Sequence, residues 1–356
     1  MSMRVVVVGS GVIGLLTAME CVLAGAEVSL VDADDIPSPS AMSHDRLRSI
    51  RALHPGDAEL TRTAVRAHRA WLEVERRLGM QVHHHVGALT TLPVQHAQES
   101  VALLASVGVT ADLLRPEVLA ERYPTIRFPA GLAGVFDPTA TVVAADQTMT
   151  ALAEWLRGRP GVDMYPRSRV VAATAGGVRL VEGVVTGDRV VLAAGPWSRD
   201  LLPAALSARL TLHRQTVLSY SAQWEGMPVI PRFGTADGAW LIPPVNGAPA
   251  CLSAAVTSRE VSVLTDRTAP ARWREHLVDR FGALLADFDP AAVTGAADGY
   301  YLSASPGSGP LLADLGDGVQ AYAACGGMSF KFAPLVARAL AARAVDHPLH
   351  PLQARC

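Results

Sequence analysis

The first thirty-two residues show the hydrophobic pattern of a strand, a helix and a second strand. Residues 5–8 are four consecutive valines, which is typical of a strand buried on both faces of a parallel sheet. A mainly apolar stretch over residues 12–24 ends at Gly25 and predicts a helix with a glycine cap. Residues 26–31 predict a second strand that ends at Asp32. This order predicts the first unit of an α/β fold.

Hydrophobic periodicity also predicts elements further along the chain. Residues 57–78 have apolar positions at helical spacing, and residues 95–107 and 271–288 predict two more helices. Residues 188–198 predict another buried strand, which ends in a glycine turn. The apolar positions predicted for the first of these helices are Leu60, Ala64, Ala67, Trp71, Val74 and Leu78.

Three glycines separate the first strand from the first helix at a spacing that has a mechanical reason. Gly9 allows a tight turn, Gly11 lets backbone approach a pyrophosphate, and Gly14 lets helix and strand pack closely. The helix N-terminus offers free N–H groups to phosphates. Asp32 can accept hydrogen bonds from ribose hydroxyls, and its charge disfavours a 2′-phosphate. The unit predicts an adenine dinucleotide site and argues against NADP; the alternative is a glycine-rich turn in another α/β fold.

Composition narrows the class of protein. The chain has 356 residues, of which 50% are hydrophobic and 18% charged, so two domains with large buried cores are expected. A net charge of −2 without a basic block argues against nucleic acid as a partner. No apolar run of 18 residues is present, and the four cysteines have no metal-ligand spacing. We therefore expect a soluble cytoplasmic protein without a membrane partner or a metal.

Of the 31 lysine and arginine residues in the chain, one is a lysine. Lys331 lies at the start of a predicted helix, after Gly326 and Gly327. Because nearly every other cationic position is an arginine, a compact ammonium at this position suggests that a guanidinium does not fit. The alternative is the chance survival of one surface lysine.

The pattern after Asp32 distinguishes between NAD and FAD. An NAD dehydrogenase continues with alternating strands and helices, whereas this chain continues into a loop and an arginine-rich segment over residues 43–51. A nucleotide domain assembled from separated segments suits a longer cofactor. NAD-linked dehydrogenation is therefore the weaker interpretation.

With these motifs the chain resembles the D-amino-acid-oxidase superfamily of flavoproteins, and within it the monomeric sarcosine oxidase and glycine oxidase group. The matching segments are residues 5–32, 43–51, 193–198 and 326–334. The resemblance implies an α/β fold in which a substrate domain, built on a mainly antiparallel sheet, is inserted into a Rossmann-like FAD-binding domain. It also implies oxidation of the C–N bond of a small amino acid or secondary amine to an imine.

The domain boundaries that follow are expectations. The FAD-binding domain is predicted to comprise residues 1–80, 144–213 and 299–356, and the substrate domain residues 81–143 and 214–298. The resemblance is compatible with a monomer or a small homo-oligomer.

The resemblance also implies a set of residues that contact FAD. They are Gly9, Gly11, Val12, Ile13, Gly14, Asp32, Ala33, Ser43, Arg48, Val170, Ala194, Gly195, Trp197, Gly326, Gly327, Met328, Ser329, Phe330 and Lys331.

By the same resemblance, Arg48, Arg51 and Lys331 are the catalytic candidates. Arg51 and Lys331 grip the substrate carboxylate together, and Arg48 lies over the flavin ring. The remaining predicted substrate contacts are the side chains of Trp240, Tyr220 and Met328, for each of which core packing is the alternative.

The chain departs from the family in several places. Tyr300 or Tyr301 occupies the position of a cysteine that tethers FAD in some members, so non-covalent FAD is predicted. The lysine that activates oxygen in sarcosine oxidases is absent, since residues 250–253 are Ala-Cys-Leu-Ser, and Met328 stands where a histidine is common. An FAD dehydrogenase with another electron acceptor and a regulatory nucleotide-binding module therefore remain alternatives.

Two smaller expectations concern histidine and cysteine. Residues 83–85 are three consecutive histidines, which point in different directions on any regular element and are expected to form an exposed connection. Cys325 is expected to be a packed small residue rather than a flavin tether.

Overall fold

The computed structural model describes residues 2–44, 47–304, 311–324 and 326–345. The expectation for Cys325 lies outside the described residues. Within them the α-helices are α1 (Val12–Leu23), α2 (Ala58–Leu78), α3 (Val94–Ser106), α4 (Pro116–Arg122), α5 (Ala145–Arg157), α6 (Ala204–Ser207), α7 (Ala271–Leu284) and α8 (Ser329–Ala344). Short 3-10 helices cover Gly195–Asp200, Ala255–Thr257 and Pro290–Ala292.

The strands of the same ranges follow in chain order. They are β1 (Arg4–Val8), β2 (Glu27–Val31), β3 (Leu47–Ile50), β4 (His83–His85), β5 (Ala88–Pro93), β6 (Asp112–Leu114), β7 (Leu132–Asp137), β8 (Thr141–Ala144), β9 (Val162–Tyr165), β10 (Val170–Thr174), β11 (Gly177–Leu180), β12 (Val184–Thr186), β13 (Arg189–Leu192), β14 (Leu210–Tyr220), β15 (Val229–Arg232), β16 (Ala239–Ile242), β17 (Ala250–Ala254), β18 (Arg259–Glu260), β19 (Val293–Ala304), β20 (Leu311–Gly316) and β21 (Val319–Ala324).

A six-stranded sheet with the order β20-β21-β13-β1-β2-β9 forms the first layer. Its strands run parallel except β20, which is antiparallel to β21. The valines of β1 at positions 5–7 are fully buried, as expected for a strand covered on both faces. Helices α1, α5 and α8 share one hydrophobic core on this sheet.

A nine-stranded sheet forms the second layer and is mainly antiparallel. Its order is β18-β14-β17-β16-β15-β5-β7-β6, and β19 pairs along the length of β14. Only the β5–β15 pair among its described pairings is parallel. Two small antiparallel sheets, β3-β8-β4 and β10-β11-β12, complete the pairings. An α/β fold with a mainly antiparallel second sheet was predicted from the sequence, and the structure has both parts.

The predicted helices are present with small differences at their ends. Asp57 caps α2 and accepts a hydrogen bond from the Leu60 amide at 2.8 Å, which explains why the helix begins at Ala58. Helix α7 ends at Leu284, four residues before the predicted end. Within the described ranges no helix combines the length and the apolar character that a membrane crossing requires.

The expectation of an exposed connection at residues 83–85 is wrong. These residues form β4, which pairs with β8, and the His83 side chain is buried. The His83 Nδ1 lies 2.9 Å from a Glu75 carboxylate oxygen, which also accepts from the Val82 and His83 amides. The Glu75 carboxylate on α2 therefore accepts hydrogen bonds from the backbone at the start of β4. It also lies within hydrogen-bond distance of the His83 ring, which allows that ring to be buried.

Candidate active site

One cavity of about 670 Å³ runs along the carboxyl ends of β1 and β2 and reaches the nine-stranded sheet. Crevices at the carboxyl ends of parallel strands are where open α/β sheets bind ligands. The predicted site residues that line it are Gly9, Gly11, Val12, Ile13, Asp32, Ala33, Ser43, Arg48, Arg51, Val170, Ala194, Gly195, Trp197, Trp240, Gly326, Gly327, Met328, Ser329, Phe330 and Lys331. The cavity therefore brings together residues that lie more than 300 positions apart in the chain.

The glycine turn has no room for side chains at two of its three positions. A Cβ on Gly14 would lie 1.7 Å from the Gly9 carbonyl oxygen, and one on Gly9 would lie 2.5 Å from the Ala193 carbonyl oxygen. Gly9 also has φ +103°, which other residues rarely adopt. Gly14 itself does not line the cavity; its contribution is the close contact between α1 and β1.

Asp32 lies at the end of β2, directly beside this turn. Its Oδ2 accepts from the Ser10 amide at 2.5 Å and from the Ser10 hydroxyl at 2.8 Å. Burial raises the pKa of Asp32, while the hydrogen bonds from Ser10 and Asp34 act in the opposite direction. The carboxylate is thus fixed at the cavity wall with oxygen lone pairs still available to a ribose.

Backbone at the N-terminus of α1 and in the segment before α8 lines the cavity. The Val12 amide donates to the Ser43 hydroxyl at 2.9 Å, and the other amides of the first helical turn have no intrahelical acceptor. Gly326 and Gly327 have φ +63° and +86°, so this turn requires glycine. These features, together with Asp32, fit an extended dinucleotide such as FAD.

Lys331 is buried in the first turn of α8, with 7% of its surface exposed. Its ammonium nitrogen lies 3.0 Å from Nε2 of His54 and 5.8 Å from the centre of the Phe332 ring. A buried ammonium requires hydrogen-bond partners. Lys331 is among the residues that line the cavity.

Trp71 holds the start of α8. Its indole N–H donates to the Phe330 carbonyl at 3.1 Å and to the Lys331 carbonyl at 3.0 Å, and its ring stacks on Phe330. Pro334 lies within α8 and has no N–H to donate to the carbonyl four residues earlier, which is that of Phe330. Trp71 therefore supplies the hydrogen bond that the proline removes.

Arg51 follows β3 and is the second cation at the cavity. Its guanidinium donates to the Leu53 carbonyl. Burial lowers the pKa of Arg51 to about 10, against which the negative charge of Asp137 acts. Asp137 is buried and accepts from the Ala52 amide at 3.3 Å and from Thr139. Arg51 is consequently charged at neutral pH, with a buried carboxylate behind it.

His54 is not among the catalytic or binding residues that the sequence predicts, and it reaches the site through its contact with Lys331. It is 9% exposed, and burial together with the charges of Lys331 and Arg51 lowers its pKa to about 2. The ring is therefore neutral at physiological pH. Its position three residues after Arg51 was the available signal, but its contact with α8 cannot be inferred from spacing.

Arg48 projects from β3 into the same cavity. Its guanidinium donates to the Met42 carbonyl, while Leu47 and Ile50 on the same strand are buried. Arg48 and Ser49, the two central residues of the strand, both line the cavity. Asp45 and Arg46 lie outside the described residues.

Strands of the nine-stranded sheet form the opposite wall. Trp240 lines the cavity from β16, together with Gln215 and Val217 from β14 and two residues of β15. The Gln215 amide donates to the Ser253 hydroxyl at 3.3 Å. Gln215 was not predicted, although the alternation along β14 places it on the same face as Val217.

The structure does not bring Tyr220 to the cavity, which corrects its assignment as a pocket wall. Its ring stacks between Trp224 and Phe288, with centroid distances of 5.2 and 4.8 Å, and its hydroxyl accepts from the Asp289 amide. Side chains alternate between the two faces of a strand. Tyr220 is an odd number of residues from Gln215 and therefore faces the other side of β14.

The two tyrosines of β19 line the cavity near the glycine turn before α8. A Cβ on Gly327 would lie 3.9 Å from the Tyr301 ring. The Tyr301 hydroxyl lies 2.7 Å from that of Ser258, and its ring stacks on His213. The Tyr300 hydroxyl lies 3.0 Å from that of Thr265. Both side chains are thus anchored by bonds away from the cavity.

Comparison with known proteins defines the class. Residues 4–343 match the family described as DAO, FAD dependent oxidoreductase, so the chain belongs to this family. The family and the fold class predicted from the sequence are thereby confirmed.

Among curated relatives, the chain is 30% identical over 149 residues to the peroxisomal sarcosine oxidase of Mus musculus, covering 41% of this chain and 38% of the relative. It is 26% identical over 158 residues to the monomeric sarcosine oxidase of Bacillus sp. (strain B-0618), covering 44% of this chain and 40% of the relative. The matched region therefore spans well under half of these relatives.

Solved structures match along nearly the whole chain. The L-proline dehydrogenase from P. horikoshii has a TM-score of 0.83 at 19% identity, covering 99% of this chain and 96% of that one. The amino acid oxidase NikD has a TM-score of 0.84 at 20% identity, covering 99% and 97%. At these identities the likeness shows the fold.

Proposed function

We propose that the protein uses FAD to oxidise the C–N bond of a small amino acid or secondary amine to an imine. The observation that supports it most is the position of Arg51 and Lys331. Both line the cavity that contains the glycine turn and Asp32, and the charges of both lower the pKa of His54. A carboxylated substrate held by these cations would lie within the same cavity as the cofactor.

The two cations have different tasks in carboxylate binding. Arg51 provides a planar fork for a bidentate bond, and Lys331 provides a point charge. Lys331 is buried and Arg51 is half-buried, which strengthens these interactions because water screens them less. Together they fix one end of the substrate and thereby orient its C–H bond.

FAD, when bound, would supply the hydride acceptor for the substrate carbon. The first turn of α8 directs the positive end of its helix dipole toward the cavity, where it would stabilise negative charge. Lys331 and Arg51 hold the substrate, whose amine nitrogen must be unprotonated. Removal of a hydride from such an amine requires no general base from the protein.

The opposite wall favours a small substrate with an apolar body. The lining of the nine-stranded sheet includes Val217, Val229, Pro231, Trp240 and Ile242. These side chains offer apolar surface to an alkyl group or a ring. N-alkyl glycines, glycine-like amino acids and cyclic imino acids fit this description, and the names of related proteins include sarcosine oxidase, glycine oxidase and L-proline dehydrogenase.

A second candidate is an FAD dehydrogenase that passes electrons to an acceptor other than oxygen. Lys331 is the chain's only lysine and lies at the carboxylate position, so no second lysine exists to activate oxygen. The corresponding segment, residues 250–253 on β17, is Ala-Cys-Leu-Ser. This substitution favours slow reoxidation by air.

FAD is proposed to be non-covalent, because tyrosines occupy the tether position on β19. Denaturation of the yellow protein followed by ultrafiltration should release all of the flavin into the filtrate. Flavin that stays with the chain after denaturation would exclude this proposal.

The proposed domain division assigns residues 81–143 and 214–298 to the substrate domain. Most strands of the nine-stranded sheet come from these segments, which supports the division. The edges of β14 and β19 extend beyond it by four and six residues.

Purification with FAD followed by anaerobic mixing with a panel of amino acids tests the proposed function. We expect a flavin absorbance spectrum and bleaching by at least one carboxylated amine. A protein that stays colourless after FAD is added would rule out the proposal. Bound flavin that no amine reduces would instead support a binding role without this chemistry.

A further inference from the structure

The imidazole of His54 contacts the Lys331 ammonium and lies within electrostatic range of Arg51. Its Nε2 is 3.0 Å from the Lys331 ammonium nitrogen, and the charge of Arg51 is near enough to influence its titration. The ring packs against Phe332, with a centroid distance of 6.4 Å and an interplanar angle of 30°. The His54 side chain thus contacts two residues in the first turn of α8.

The backbone of His54 is held by the start of α2. Its amide donates to the Thr61 hydroxyl at 3.1 Å, and its carbonyl accepts from the same hydroxyl at 3.2 Å. The Asp57 amide also donates to this carbonyl, at 3.1 Å. The imidazole thus projects from a rigid turn, and such rigidity is what a residue that orients another side chain needs.

The hydrogen bond between the two side chains has only one possible direction. An ammonium has donors and no acceptor, so Lys331 donates and Nε2 of His54 accepts. Nδ1 then has the proton of the neutral ring. Burial first, and the two neighbouring positive charges next, lower the pKa of His54 to about 2, which keeps Nε2 available as an acceptor across the physiological range.

A neutral acceptor differs from a carboxylate in one respect that matters at this site. A glutamate at position 54 would also hold the ammonium, but its negative charge would cancel that of Lys331 and repel an incoming carboxylate. The imidazole holds the ammonium and leaves both positive charges uncompensated by itself. Asp137 is the carboxylate whose charge acts on Arg51.

We propose that His54 is a positioning residue that orients the Lys331 ammonium for carboxylate binding without cancelling its charge. This rests on the proposed function, because it assumes that Arg51 and Lys331 bind an anion. His54 is not required to touch the substrate or the cofactor. Its effect should appear in carboxylate affinity and should depend on the charge of residue 54 as well as on its size.

Titration of the FAD-loaded protein with acetate, followed through the flavin absorbance spectrum and by calorimetry, tests the proposal without turnover. Acetamide is the uncharged control ligand. We expect His54→Leu to raise the Kd for acetate by about tenfold or more, the usual effect of removing a hydrogen bond to a charged group. His54→Gln, whose side-chain oxygen can accept, should remain within about threefold of the parent protein on the same basis.

His54→Glu distinguishes positioning from packing. It should abolish acetate binding although it is as large as glutamine and can accept from Lys331. The matched control is His276→Leu on α7, which lies outside the cavity lining and should leave the Kd unchanged. FAD content and the thermal midpoint of each variant show whether it is folded.

The outcomes separate two failures. If the parent protein takes up FAD but binds acetate no better than acetamide, the carboxylate grip and the role of His54 are both wrong. If the parent binds acetate and His54→Leu and His54→Glu bind it equally well, only the role of His54 is wrong. Loss of binding in the leucine and glutamate variants with retention in the glutamine variant supports the proposal.

Discussion

At the scale of single residues, the site combines a buried ammonium and a half-buried guanidinium. Arg51 is charged although desolvation lowers its pKa to about 10, and Lys331 lines the same cavity from α8. The guanidinium fork contributes geometry as well as charge. The effect of replacing the arginine by a lysine on substrate binding therefore follows from the shape of the side chain.

Arg51→Lys should weaken the binding of carboxylated substrates although the positive charge is kept. Loss of the bidentate bond is expected to raise KM about tenfold, with a change of less than about twofold for carboxylate-free amines. Steady-state kinetics with a carboxylated amine and its decarboxylated analogue measure both. Arg76→Lys, an exposed substitution on α2, is the control. Equal losses with both amines would argue against a carboxylate contact of Arg51.

Gly14→Ala should prevent FAD uptake or folding. The added Cβ would lie 1.7 Å from the Gly9 carbonyl oxygen, so α1 must move away from β1 and the turn must open. Flavin content after purification and the thermal midpoint report the effect. Gly158→Ala is the matched control, since its nearest atoms lie 3.7 Å away, and it should bind FAD normally. A Gly14→Ala protein with full flavin content would contradict this account of the turn.

The site residues that could be predicted from the sequence were those whose role depends on neighbouring residues in the chain. Gly9 and Gly14 are required by a turn and a close approach within one strand–helix unit, so their spacing alone indicates them. His54 and Asp137 matter through contacts with segments far away in the chain, and no local pattern indicates such contacts. Tyr220 was misplaced because the face of β14 depends on where its alternation begins.

At the scale of elements, the start of α8 depends on α2. Pro334 deprives the Phe330 carbonyl of its helical partner, and the Trp71 indole replaces it. The sequence indicated both helices and the inward position of Trp71. It did not indicate that the Trp71 indole N–H replaces the hydrogen bond that Pro334 cannot make, because that contact forms only when α2 and α8 are packed together.

Trp71→Phe should destabilise the protein by on the order of 1–2 kcal/mol through loss of this hydrogen bond. Chemical denaturation measures the free energy of unfolding. In a Pro334→Ala background the Phe330 carbonyl regains a helical donor, so the same Trp71→Phe change should cost less. Equal costs in the two backgrounds would show that Trp71 acts through packing alone.

His68 on α2 should make stability depend on pH. Burial lowers the pKa of His68 to about 4, and the charge of His83 acts in the same direction. Between about pH 6.5 and pH 4 the unfolded chain therefore binds the proton more readily than the folded one, and stability falls as the pH is lowered through this window.

Thermal midpoints recorded from pH 7 to pH 4 test this dependence. His68→Leu should flatten the curve relative to the parent protein, whereas His96→Leu, an exposed change on α3, should leave it unaltered. An identical pH dependence in the parent and His68→Leu proteins would remove His68 from the explanation.

At the scale of the whole molecule, one cavity joins the parallel sheet, the nine-stranded sheet and the start of α8. The sequence indicated the parallel sheet well, because its buried strands are continuous apolar runs. It indicated the second sheet only as strand-like segments with turns, because the order of antiparallel strands depends on long-range pairing.

The absence of a second lysine predicts how the reduced cofactor is reoxidised. After anaerobic reduction by substrate, mixing with air-saturated buffer should restore the flavin spectrum slowly, and a soluble quinone should restore it faster. Stopped-flow absorbance measures both rates. Rapid reoxidation by air would favour an oxidase and would show that Lys331 or another group serves oxygen.

The central claim is that Lys331 and Arg51 hold a substrate carboxylate in the cavity that binds FAD. The most direct measurement is the rate of anaerobic flavin bleaching in the parent protein and in Lys331→Met, with a carboxylated amine and with the same amine lacking the carboxylate. The account predicts a loss of about a hundredfold for the carboxylated amine at subsaturating concentration and little change for the other. Equal losses for both amines, or none for either, would contradict it.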